Sequence, residues 1–164
     1  MVKITRTARP EVRYLAVGGD PAMSNRNWLE RMRRHADDIG VADVVTFTGP
    51  RTDIPEVMCS LDVLVVPSWT EGFGRVVVEA GAVGTPVVGT NVGGIPEALE
   101  DGVTGVLVPP RDPAAMGAAV LRVLDDQAWR AQVAAVAPVR VRERFAPQKQ
   151  VRAIEAIWRE ALTS

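Results

Sequence analysis

The chain reads as an α/β fold, a doubly wound parallel sheet with helices on both faces. Three observations predict it. Five short, almost continuously apolar runs rich in valine recur along the sequence. Stretches with helical spacing separate them. The length, 164 residues, suits one domain able to bury a core. Runs this short and this apolar read as strands covered on both faces, and their alternation with helices calls for parallel crossovers.

In chain order, RYLAVG near 13–18 is the first strand, followed by a helix over 25–40 and the strand VVTFTG near 44–49. A helix over 53–61 leads to VLVVP near 63–67, and a helix over 74–84 leads to PVVGT near 86–90. Pro96, just after Gly93 and Gly94, opens a short helix over 95–100 that returns to the strand GVLVP near 105–109. Asp112 before Pro113 is an N-cap with a first-turn proline, so a helix runs over 112–125. Two more follow, over 127–137 and 148–162. In such sheets ligands sit beyond the carboxyl ends of the strands. That singles out three loops: SWTEGFG (68–74), TNVGGIP (90–96) and GPRTD (49–53).

Composition excludes several functions. With 47% hydrophobic and 24% charged residues and a formal charge of -1, the chain is no nucleic-acid or anionic-membrane binder by charge. Cys59 and His35 are the only residues of their kinds, which rules out an internal disulfide, a thiolate or histidine metal site and a histidine dyad. One cysteine points to a reducing, cytoplasmic setting. Only Lys3 and Lys149 are lysine, which leaves little for Schiff-base chemistry. The first residues carry no signal-peptide pattern, and no 18 apolar residues run together. His35, in RMRRHADD, reads as solvated, and Cys59, in EVMCSLDV, as a small buried packing residue.

The stretch WTEGFGRVVVEAGAVGTP places Glu71 in a glycine turn and Glu79 inside an apolar helix. Gly72 and Gly74 set the helix start near 74, so the two acids have separate tasks. Free amides and the positive end of the helix dipole there favour an anion, with phosphate the commonest. Glu79 either accepts from a pair of ribose hydroxyls or pairs with Arg75 four residues earlier. Both readings stand on the residues alone.

EGFGRVVVE, then GTPVV, then VGGIPEALEDGVTGVLVPPRDPAAM resembles the C-terminal, donor-binding domain of glycosyltransferase family 4, the retaining nucleotide-sugar enzymes of the GT-B fold. The likeness spans about 10–162. It implies a Rossmann-like domain in which Glu71, the catalytic candidate, contacts the transferred sugar and Glu79 grips the ribose. The amides of Phe73, Gly74 and Arg75, with Gly72 beside them, would face the sugar and diphosphate. Gly49 and Arg51 would border the base, and Gly93 and Gly94 would keep a supporting turn close to the donor. For Arg51 a solvated loop cation is the alternative, and for the two glycines a purely structural turn. The donor would be a UDP- or GDP-linked sugar, with no cofactor and, since no Asp-x-Asp pair occurs, no metal clamp.

The sequence also departs from the family. Its first strand, the loop carrying arginine and lysine for the diphosphate, and the preceding acceptor domain have no counterpart, and Met1 aligns near the end of the first helix. The whole chain is then a single donor domain over 1–164, with a gap between the strands near 13–18 and 63–67. Either those strands close up or another chain fills the slot, through an acceptor domain in trans or self-association. By resemblance the helix over 148–162 docks on an N-terminal domain. Two other classes stay open: a non-catalytic nucleotide or nucleotide-sugar module, and a phosphate-binding α/β protein without sugar chemistry.

Overall fold

The computed structural model describes residues 1–19 and 27–163. Its elements run α1 (Val2–Ala8), β1 (Tyr14–Val17), α2 (Trp28–Asp38), β2 (Val45–Gly49), α3 (Ile54–Cys59), β3 (Leu64–Val66) and α4 (Arg75–Val83). They continue with β4 (Val87–Thr90), α5 (Ile95–Ala98), β5 (Gly105–Val108), α6 (Pro113–Asp125), α7 (Gln127–Phe145) and α8 (Pro147–Thr163). Each of the five apolar runs is a strand. The start expected for the second helix, at 25, lies outside the described residues.

Every strand pairing is parallel, but the strands form two sheets, β1–β2 and β3–β4–β5. Placed side by side they give the order 2-1, a gap, then 3-4-5. That is the doubly wound order with its central strand missing. The facing edges of β1 and β3 have not closed up. A cleft of about 590 Å³ separates them, lined by Tyr14 and Leu15 on one side and Val63, Leu64 and Val65 on the other.

Burial follows from this division. β4 is buried along its whole length because its alternating side chains enter two cores. Val87 packs with Met58, Val66, Val77, Ala80, Ile95 and Leu99, and Val88 packs on the other face with Val106, Met116, Val120 and Val123. Each such side chain contributes about 1.5–3 kcal/mol when fully buried. The expectation of strands covered on both faces fails for β1, where Leu15 and Val17 are exposed. Among the described residues the core of that sheet is small, with Ala36, Val41 and Val44 buried in it.

α1 straps the halves together. Met1, its N-cap, packs on the core of the larger sheet and its Val2 on that of the smaller. Arg6 donates to Asp43 at 2.7 and 2.8 Å and to the Gly40 carbonyl, while Arg9 reaches Asp125 at 3.5 Å.

Two local expectations need correction. α7 does not end at 137 but continues through Pro138 to Phe145. An interior proline costs a helix about 3 kcal/mol. The continuation is favoured by packing, since Val141 lies against Gly81 of α4. Cys59 is exposed rather than buried: in α3 the core-facing positions fall to Val57 and Met58, and the next residue turns outward by the helical step of about 100°. His35 is exposed, as expected.

Candidate functional site

β3 ends at Val66, and the chain then enters the loop that carries Ser68, Trp69 and Glu71. Gly74 closes that loop in the left-handed region, at φ 78°, and is the N-cap of α4. A side chain at such an angle is strained. No side chain caps α4, and the Val77 amide opens the helix by donating to the Gly74 carbonyl at 2.9 Å. The first amides of the helix therefore face outward with their dipole, the arrangement that attracts an anion.

Glu71, Phe73, Gly74, Arg75, Val76 and Glu79 line one shallow pocket of about 430 Å³ at this helix end. The structure thus brings together both glutamates and most of the residues expected around the donor. The Glu71 carboxylate is oriented locally, accepting from the Gly72 amide at 3.1 Å and from the Ser68 hydroxyl at 3.4 Å. Glu79 is exposed rather than sunk in the helix. Among the described residues no ion pair joins it to Arg75, so the pairing alternative does not form.

The turn at Gly93 and Gly94 lies backbone to backbone against the loop. A methyl built on Gly94 would stand 2.6 Å from the Gly72 carbonyl oxygen and the Phe73 Cα, and one on Gly93 would collide with the Glu71 carbonyl. No side chain larger than hydrogen fits between the two segments. Gly49 and Arg51 lie elsewhere, at the carboxyl end of β2 in the other sheet, and do not line the pocket. Arg51 is held in a two-pronged pair with Asp53, its Nε donating at 2.8 Å. That pairing holds the exposed Asp53 carboxyl below its ordinary range.

Three further neighbours were not legible as site residues. Ser68 contacts Glu71, as described. The Arg111 guanidinium lies 5.1 Å from the centre of the exposed Trp69 ring, and Phe145 sits edge-to-face with Phe73, centroids 5.7 Å apart. Arg111 and Phe145 come from segments far along the chain. No local pattern could have signalled them.

A family model described as "Glycosyl transferases group 1" matches residues 1–126. The chain belongs to that family. This group 1 glycosyltransferase domain is 45% identical over 105 residues to the D-inositol 3-phosphate glycosyltransferase of Mycobacterium marinum, an alignment covering 63% of this chain and 22% of that one. The domain therefore spans about a quarter of the length of the curated relatives it matches. Among solved structures it superposes on Anabaena HepE in complex with UDP-glucose with a TM-score of 0.84 at 28% identity, over 94% of this chain and 44% of that one. On sucrose-phosphate synthase from Thermosynechococcus elongatus the score is 0.86 at 31% identity, over 99% and 42%. The fold is thus that of a GT-B half, as the motifs implied.

Proposed function

We propose that this chain is the donor-binding half of a retaining glycosyltransferase that moves a hexosyl group from a nucleoside diphosphate sugar to an acceptor hydroxyl. The pocket carries the reading: two carboxylates and a cation gather at an uncapped helix start beyond the carboxyl end of a parallel strand. Glu79 accepts from the ribose hydroxyls, Glu71 contacts the sugar, and the amides of Phe73, Gly74 and Arg75 face the diphosphate. Gly93 and Gly94 keep the loop in place, and Gly49 with Arg51 borders the base. UDP is the first candidate, supported by the likeness to HepE, which was solved with UDP-glucose.

When the bond from anomeric carbon to phosphate breaks, negative charge grows on the leaving diphosphate while the sugar becomes oxocarbenium-like. Donors already aimed at that charge stabilise it by roughly 3 kcal/mol each. The leaving phosphate takes the acceptor proton, so the reading requires no histidine base. A single cysteine supports work in the cytoplasm. The chain covers under half of the solved relatives' length, which supports a second element in the same reading: transfer requires an acceptor domain beside the donor site.

Calorimetric titration with UDP and UDP-glucose tests this. Binding by the unaltered chain, weakened at least tenfold by Glu79→Ala, is expected, since hydrogen bonds to a charged group contribute about 1.5–3 kcal/mol. Absence of binding, or an unchanged affinity in the variant, overturns it. Transfer on addition of an acceptor domain separates an enzyme half from a non-catalytic module.

A further inference from the structure

We infer that Phe145, the last residue of α7, is a positioning residue for the donor loop. It acts on Phe73, and through Phe73 it sets the amides of Phe73, Gly74 and Arg75. The inference rests on the donor reading above and adds a residue to it from a distant part of the chain.

The loop from Glu71 to Gly74 is backed on one side by the Gly93–Gly94 turn, which lies against its main chain. Phe73 is partly exposed, at 39%, and projects from the loop. Its ring meets Phe145 at an interplanar angle of 73°, the only ring-to-ring contact among the described residues. A T-shaped pair has a preferred orientation as well as an apolar area, so it fixes a direction where a greasy contact would not.

Phe145 is itself anchored. The neighbouring Arg144 donates to the Glu97 carbonyl of α5 at 2.5 Å and lays its guanidinium 5.0 Å from the centre of the Phe145 ring. One turn earlier Arg140 reaches Glu100 at 3.6 Å, and Val141 presses on Gly81 of α4. All four of these residues lie beyond Pro138. A helix stopped at that proline would not reach the loop, so the continuation of α7 is what delivers the ring to Phe73.

UDP serves as the probe, at a temperature where circular dichroism shows every variant folded. Phe145→Leu keeps apolar bulk and removes the ring; Phe145→Tyr keeps the ring. The expected result is UDP affinity weakened about 3- to 10-fold in Phe145→Leu, the range for such aromatic pairs, and within about twofold of the unaltered chain in Phe145→Tyr. Adding Phe73→Leu to Phe145→Leu should weaken binding no further than the weaker single change, because the two remove one interaction. Without ligand, amide exchange at 73–75 should quicken in Phe145→Leu while β4 stays unchanged.

If the unaltered chain binds UDP and Phe145→Leu binds it equally well, this inference falls and the donor reading stands. The inference also falls if Phe145→Tyr is as weak as Phe145→Leu, since keeping the ring would then restore nothing. If the unaltered chain does not bind UDP, the donor reading falls and the inference with it, while the exchange rates still report whether Phe145 holds the loop.

Discussion

Glu71 accepts hydrogen bonds at both carboxylate oxygens, from Ser68 and Gly72, whereas Glu79 stands on the exposed side of α4 without an ion pair to Arg75, its neighbour one turn back. The first is held in place before a ligand arrives, and the second is left free to accept hydroxyls. Glu71→Gln should therefore leave UDP affinity within about twofold and weaken UDP-glucose by roughly tenfold, as suits one lost charge-assisted contact to the sugar. Equal loss for both ligands would place Glu71 on the nucleotide instead. Tyr14 offers a separate test. Burial beside the cleft raises its phenol above 10.0, with the Thr5 hydroxyl acting weakly in the opposite direction. A phenol that stays neutral longer in the folded chain contributes stability that is complete below 10.0 and is lost as pH rises through the folded value. Tyr14 is the only tyrosine, so phenolate absorbance reports it alone: titration above 10.0 in buffer and near the ordinary value in denaturant is expected.

Among the elements, α4 depends on α7 for its position. The C-cap of α4, Gly84, is left-handed at φ 82°, and a methyl there would meet the Ala134 carbonyl oxygen of α7 at 2.9 Å. Backbone cannot yield as a flexible side chain can. Gly84→Ala should lower stability by about 2 kcal/mol or more, from left-handed strain and forced separation of the helices, measured by urea unfolding. The last helix behaves differently. Val151, Ile154, Ile157, Trp158 and Leu162 of α8 are each at least 50% exposed, so the apolar residues of this helix do not pack on the chain's own sheet.

For the molecule as a whole, the division into two sheets is the dominant feature. Among the described residues, the edges of β1 and β3 that face each other across the cleft have no strand partner, and unpaired edges with exposed Leu15 and Val17 invite association. α1 bridges the halves, with Met1 packed on the core of the larger sheet and Val2 on that of the smaller. Self-association in sedimentation, or a low and broad thermal transition, is the expected behaviour of this chain. A monomer that unfolds cooperatively at high temperature would contradict it.

The apolar runs that became strands, the Asp112 cap whose carboxylate accepts from Ala114 and Ala115 at 3.0 and 2.8 Å, and the helix start at Gly74 were all determined by the sequence itself. Each depends on residues within a few positions of one another, where periodicity, capping and backbone freedom act. Only the tertiary structure decided that α7 passes through Pro138, that Cys59 and Glu79 face outward, that Phe145 meets Phe73, and that the sheet stays open beside β1. Those outcomes depend on partners remote along the chain, and whether a side chain is covered is settled by what packs against it rather than by its own neighbours in sequence.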